Sequence, residues 1–291
     1  MEPERDEITG KMTTGHVWDG IKELNTPMPR FVKALYWLSI IVAVGYWILM
    51  PAWPYLSDYT RGTLGYQQRS VVTNRVVEAK AERAPWENQI VAMAYSDIQD
   101  SAELQGLALA KGEALFDDNC LACHRAGGTG QVRFPNLADK DWLWGGSIGA
   151  IEQTIRVGIN TAHEDTRAGG MPAHGTDQIL DREQIKDVIE HVRLLSGAEH
   201  DSERAARGTT LFAENCASCH GDEGRGDYDT GAPNLTDATW LFGGDRETLW
   251  QTIFFGRAGV MPHWSERLDD AAIKALTLYV YSLGGGEPSK K

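Results

Sequence analysis

Two pentapeptides constrain this chain more than anything else in it. They are Cys120-Leu121-Ala122-Cys123-His124 and, 96 residues later, Cys216-Ala217-Ser218-Cys219-His220. Each has the C-x-x-C-H spacing that attaches a c-type haem. The chemistry explains the spacing: two thiols add across the two vinyl groups of one porphyrin, and the adjacent histidine ligates the iron. Together the motifs use all four cysteines. A zinc site would place its second cysteine pair ~15–20 residues away, far closer than here. A redox dithiol needs a strand-to-helix setting and no partner histidine, and a disulfide between such close neighbours is strained. The motifs therefore predict two covalently bound haem c groups, with His124 and His220 as proximal iron ligands.

The motifs sit inside a duplicated unit. Lys111-Gly112-Glu113-Ala114-Leu115-Phe116, leading to Asn119-Cys120, matches Arg207-Gly208-Thr209-Thr210-Leu211-Phe212, leading to Asn215-Cys216. Gly and Phe four apart share one helical face. Pro135-Asn136-Leu137 matches Pro233-Asn234-Leu235, Trp142-Leu143 matches Trp240-Leu241, and Gln153-Thr154-Ile155 matches Gln251-Thr252-Ile253. Each unit reaches a Met-Pro pair, Met171-Pro172 or Met261-Pro262, and each is predicted to be closed by a last helix, Arg182–Leu195 or Asp270–Leu283. Predicted helices alternate with Gly/Pro/Asn loops, and no sustained strand is expected.

Met171 and Met261 are the candidate distal iron ligands. They lie 47 residues after His124 and 41 after His220. A methionine in a small domain is by default core filler; a Met-Pro in a Gly-rich loop of both units argues otherwise. His/Met ligation fills both axial positions and raises the reduction potential, which suits one-electron transfer and leaves no site for O₂ or peroxide. Trp142, Trp240, Phe116 and Phe212 are expected to wall the pockets or fill the core. The first unit has about eight extra residues between Gly158 and Met171, carrying His163, which is expected to be exposed and inert. His174 competes with Met171 as a ligand; both units offer Met-Pro, so methionine is preferred.

Ahead of the repeats, residues 34–57 carry no charge. About 20 apolar residues cross a bilayer as a helix. Tyr36 and Trp37 mark one end, Tyr46, Trp47, Trp53 and Tyr55 the other, as interfacial aromatics do, and Pro51 and Pro54 close the helix. The fold class expected is mainly α: one N-terminal transmembrane helix followed by two tandem cytochrome c-like domains. The divisions are a cytoplasmic N-terminal tail over 1–33, flexible or surface-lying; the membrane helix over 34–57; a periplasmic connector over 58–106; and cytochrome c domains over 107–198 and 203–286. Covalent haem attachment in bacteria takes place outside the cytoplasmic membrane, so the haem units are expected to be periplasmic and the N-terminus cytoplasmic.

The formal net charge is −13, unevenly spread: net +1 over 1–84, −9 over 85–200 and −5 over 201–291. This argues against nucleic acid and suits a basic protein partner. From the residues alone three functions stay open: an electron-transfer subunit, a diheme periplasmic redox enzyme with a vacant axial position, and the cytochrome subunit of a periplasmic dehydrogenase.

Over nearly its full length the chain resembles the diheme subunit III of cbb3-type cytochrome c oxidases, the CcoP/FixP family. The resemblance rests on His16-Val17-Trp18-Asp19-Gly20-Ile21 with Glu23-Leu24-Asn25 and Pro27-Met28-Pro29. It continues through Gly45-Tyr46-Trp47 and Pro51-Ala52-Trp53-Pro54, then the two haem units. It implies a place in a terminal oxidase of the bacterial inner membrane. Electrons would come from a cytochrome c donor and pass through a monohaem partner subunit to the haem–copper catalytic subunit that reduces O₂ to water. It also implies no O₂-reducing site in this chain. The family admits an exchange of the two methionines, Met171 to the second haem and Met261 to the first; the sequence leaves open which pairing holds here.

Overall fold

A computed structural model describes residues 2–287 of the 291. These fall into two compact units that part between Glu82 and Arg83.

The N-terminal unit holds a feature the sequence reading missed. Residues 1–33 were expected to be a tail, yet β1 (Thr13–Trp18) and β2 (Ile21–Leu24) form an antiparallel hairpin with Trp18 opposite Ile21. The reason is the Asp19-Gly20 pair. Both residues have positive φ, 48° and 87°, which is what a two-residue turn matching strand twist requires. The hairpin is short and mostly exposed, so it carried little hydrophobic patterning to reveal it.

Helix α1 (Arg30–Leu49) is 20 residues long, with none buried. At 1.5 Å per residue it spans about 30 Å, the thickness of a hydrocarbon core. It starts four residues before the uncharged run and stops well before that run ends, because Pro51 follows Met50, which is already extended. The chain then folds back: the N–H groups of Thr63 and Leu64 donate to the carbonyls of Ile48 and Leu49 at 2.9 and 3.1 Å, satisfying the helix end. Gly62, at φ +69°, allows this approach to the Leu49 backbone. The polar stretch expected to be a connector is largely helical, as α2 (Gln68–Ala92).

In the C-terminal unit, α3 (Tyr95–Asp100) and α4 (Ala102–Asn119) lead into the single turn α5 (Leu121–His124), followed by α6 (Ile148–Val157) and α7 (Arg182–Leu195). The second repeat gives α8 (Ser202–Asn215), the turn α9 (Ala217–His220), α10 (Arg246–Phe255) and α11 (Asp270–Ser282). Asp181, Asp201, Asp245 and Asp269 each accept backbone N–H bonds at the N-terminus of α7, α8, α10 and α11.

The last helices form where expected but close the opposite repeat. Helix α7 packs on α8, and α11 packs on α4 and α6. The crossing is held by close approach. A side chain at Gly112 would strike the Ala275 carbonyl and Tyr279 on α11, and one at Gly208 would strike the Asp187 carbonyl on α7. One buried cluster joins Ile185, Val188, Ile189 and Val192 to Phe212 and Leu249; another joins Phe116, Ile151 and Ile155 to Ile273, Leu276 and Val280. The repeats are units of sequence, and each core is assembled from both of them.

Candidate haem sites

The turns α5 and α9 explain why C-x-x-C-H works as a site. The N–H groups of Cys123 and His124 donate to the Cys120 carbonyl at 3.1 and 2.9 Å, and those of Cys219 and His220 to the Cys216 carbonyl at 3.1 and 3.0 Å. One helical turn therefore sets both thiols and the imidazole on a common face. None of the four cysteines forms a disulfide. Cys120 and Cys216 are the inner members of each pair, and burial pushes both thiols up to about 11. Cys123 and Cys219 are exposed.

The histidines are oriented by backbone. His124 Nδ1 lies 3.0 Å from the Pro135 carbonyl, and His220 Nδ1 lies 3.0 Å from the Pro233 carbonyl. A carbonyl only accepts, so Nδ1 carries the proton and Nε2 is left with its lone pair, the form that ligates a metal. Burial holds both imidazoles below the ordinary histidine value, against the pull of those carbonyls. Both rings therefore stay neutral at neutral pH. The repeated Pro-Asn-Leu thus has a role: its proline supplies the acceptor.

Phe116, Cys120, His124, Pro135, Leu137, Trp142, Ile155, Met261 and Trp264 surround a cleft of about 750 Å³, counting its open mouth. This apolar lining, with one imidazole and one thioether, fits a porphyrin. Met261 comes from the second repeat; the first repeat's Met171, like Trp240, packs instead against the cluster containing Cys216, Phe212 and Leu235. The two methionine loops pair their backbones across the repeats. Ile159 and Met261 exchange N–H to carbonyl bonds at 2.9 and 3.0 Å, and Met171 and Arg257 do so at 2.7 and 3.1 Å.

Of the remaining histidines, His174 lies near His220 and helps hold that imidazole low. His174 is buried with Nδ1 3.1 Å from the Pro172 carbonyl and Nε2 3.4 Å from the Asn215 carbonyl. It occupies the position that buried Trp264 holds in the first site. His163 lies with its ring 5.5 Å from that of His263 and is not among the residues around the first cleft. Phe116 and Trp142 line the cleft, and Trp142 Nε1 donates to the Gly285 carbonyl at 2.6 Å.

Two arginines were not singled out from the sequence. Arg167 stacks over the Trp144 ring at 5.2 Å, and Arg257 stacks over the Phe242 ring at 4.5 Å. The signal was available: Arg167-Ala168-Gly169-Gly170-Met171 repeats as Arg257-Ala258-Gly259-Val260-Met261, and Trp144 aligns with Phe242.

Family models match three stretches of the chain: the N-terminal domain of cytochrome oxidase-cbb3, FixP, over residues 10–57; cytochrome c over 109–196; and cytochrome c oxidase, cbb3-type, subunit III, over 203–280. The cbb3-type cytochrome c oxidase subunit FixP of Bradyrhizobium diazoefficiens is 47% identical over 285 residues, 98% of each chain. Subunit CcoP of an Azospirillum species is 47% identical over 291 residues, covering 97% of this chain and 98% of the relative. Subunit CcoP of Cereibacter sphaeroides is 45% identical over 289 residues, 99% of each. The chain belongs to the CcoP/FixP family. It carries two covalently bound haem c groups and serves as a diheme electron-transfer subunit of a cbb3 oxidase complex. Its apolar N-terminal helix fits a membrane anchor.

Proposed function

We propose that the two irons are ligated crosswise. His124 and Met261 hold the first, attached through Cys120 and Cys123; His220 and Met171 hold the second, attached through Cys216 and Cys219. The observation that carries this reading is that His124, Cys120 and Met261 line one cleft. Bound there, haem supplies a one-electron couple whose potential methionine ligation raises. The protein does the rest. Pro135 and Pro233 keep Nε2 deprotonated, the paired backbones at Ile159–Met261 and Arg257–Met171 hold the thioether loops, and Phe116, Trp142 and Trp264 exclude water. With both axial positions filled, the chain has no O₂-reducing site, and electrons move on to a neighbour.

The further reading places the N-terminus in the cytoplasm and residues after α1 in the periplasm, where covalent haem attachment occurs. A basic cytochrome c donor meets the acidic surface of 85–200, and electrons pass through a monohaem subunit to the haem–copper subunit. Three tests bear on this. Purification in mild detergent should bring down the haem–copper and monohaem polypeptides, whereas co-purification with a periplasmic dehydrogenase would replace the oxidase reading. Carbon monoxide should leave both ferrous haems of the isolated chain unchanged; binding would reveal a vacant axial position. The donor's association rate should fall steeply with salt.

A further inference from the structure

Residues 284–287 follow α11 and turn back over the wall of the first cleft. That wall is Trp142-Leu143-Trp144-Gly145, all of which line the cleft. Trp142 Nε1 donates to the Gly285 carbonyl at 2.6 Å, and a side chain at Gly285 would strike the Asp139 carbonyl. Glu287 then uses every polar atom it has. Its N–H donates to the Gly146 carbonyl at 2.9 Å, and its Oε2 accepts the Gly146 N–H at 2.9 Å. Its carbonyl accepts from the Tyr281 hydroxyl at 3.2 Å, and its Oε1 accepts from the Tyr228 hydroxyl at 2.8 Å. One half-buried residue thus ties together the wall of the first cleft, helix α11 and the loop after the second haem motif.

The second site has the aligned strap with a different fastening. Tyr281 aligns with Arg193 and Glu287 with Glu199. Glu199 is exposed and accepts from Arg193 through its carbonyl at 2.8 Å. Arg193 itself reaches the carbonyl of Gly244, the counterpart of Gly146, at 3.0 Å. There a helix residue holds the wall; in the first site the strap's carboxylate does.

We propose that Glu287 is a positioning residue for the first haem: the strap it fastens holds Trp142 and Trp144 against the cleft and keeps water from the iron. This rests on the first cleft holding a haem. Water solvates the charged ferric form better than the ferrous form, so an opened wall lowers the potential. Loss of a nearby negative charge alone acts the other way, since a carboxylate favours the oxidised iron. The sign of the change separates a latch from a mere charge.

The test is redox titration of the full chain in its purified oxidase complex. A chain left with only the first haem by Cys216→Ala and Cys219→Ala identifies that haem's midpoint, however the methionines pair; the reciprocal Cys120→Ala, Cys123→Ala chain identifies the other. Glu287→Ala should weaken the first haem's reduction equilibrium about fivefold, about 40 mV at about 59 mV per tenfold for one electron, and leave the second midpoint in place. Glu287→Gln, which keeps one acceptor oxygen, should lower it by less. A first midpoint that rises or stays, or a second that falls equally, overturns the proposal. Should Glu287→Ala fail to assemble, Tyr228→Phe decides, because it removes one hydroxyl and no charge: a lowered first midpoint supports the latch and an unchanged one overturns it. Haem staining of the Cys216→Ala, Cys219→Ala chain reports separately on whether the first haem is attached.

Discussion

Helices α7 and α11 are the same element used twice, and their outer faces have diverged. On α11, Ala275 and Leu278 are buried under Ile90, Ile98, Leu104 and Ala108, so the end of α2 and helices α3 and α4 lie against the first site. Lys274 reinforces the contact by donating to the carbonyls of Ile90, Val91 and Met93 at 3.1, 3.0 and 2.7 Å. On α7 the aligned positions are Asp187 and Glu190, both buried and both paired. Asp187 accepts from Arg204 at 3.0 Å and from Arg207 at 2.9 Å, and Glu190 accepts from Arg246 at 2.6 Å. The sides turned toward the sites match in kind: Leu276 and Val280 line the first cleft, and the aligned Val188 and Val192 lie in the second core. The lesson is that one scaffold was kept toward the cofactor while the other side was rewritten. The first haem unit is fastened to the connector, and the second presents a charged face.

The largest effect should come from breaking the crossed pairing that the two sites share. In a chain whose second haem is removed by Cys216→Ala and Cys219→Ala, Met261→Ala should abolish the methionine-to-iron charge-transfer band of the remaining haem. Met171→Ala should leave that band in place. The reverse result would return each methionine to its own repeat.

Next in size is Leu278→Ala. It should cost about 2–5 kcal/mol as a buried leucine deletion, read by denaturant unfolding, and should raise hydrogen exchange around residues 86–100. Smaller and equal on both sides, Gly112→Ala and Gly208→Ala should each cost about 1–3 kcal/mol through overpacking at the helix crossings. An effect at only one glycine would break the equivalence of the two cores.

Smallest is Arg246→Ala, which touches only the second site. Its hydrogen bond, opposed by burial, holds the Glu190 carboxyl below the usual glutamate value. The folded state therefore binds that proton less readily than the unfolded chain. The stability gained is present above the ordinary carboxyl range and is lost as pH falls through the lowered folded value. Arg246→Ala should lower the melting temperature at neutral pH and matter little in acid. A pH-independent loss would assign the arginine a packing role instead.

The sequence by itself determined the covalent chemistry, the long apolar N-terminal helix and the helical segments of both repeats. Those signals are local: C-x-x-C-H within one turn, an uncharged run, and helical segments set between Gly/Pro/Asn loops. It could not decide which repeat each methionine and each closing helix would join, because the site-facing sides of the two closing helices are alike. Gly112 and Gly208 accept either α7 or α11 as far as composition goes. Only the tertiary structure settled that, by pairing the backbones of Ile159 with Met261 and Met171 with Arg257. The same limit hid Glu287: its alignment with Glu199 was within reach of the repeat, but its bonds to Gly146 and Tyr228 exist only once the chain is folded. Close packing and hydrogen-bond satisfaction are long-range properties, and they are what made two sequence repeats into two shared pockets.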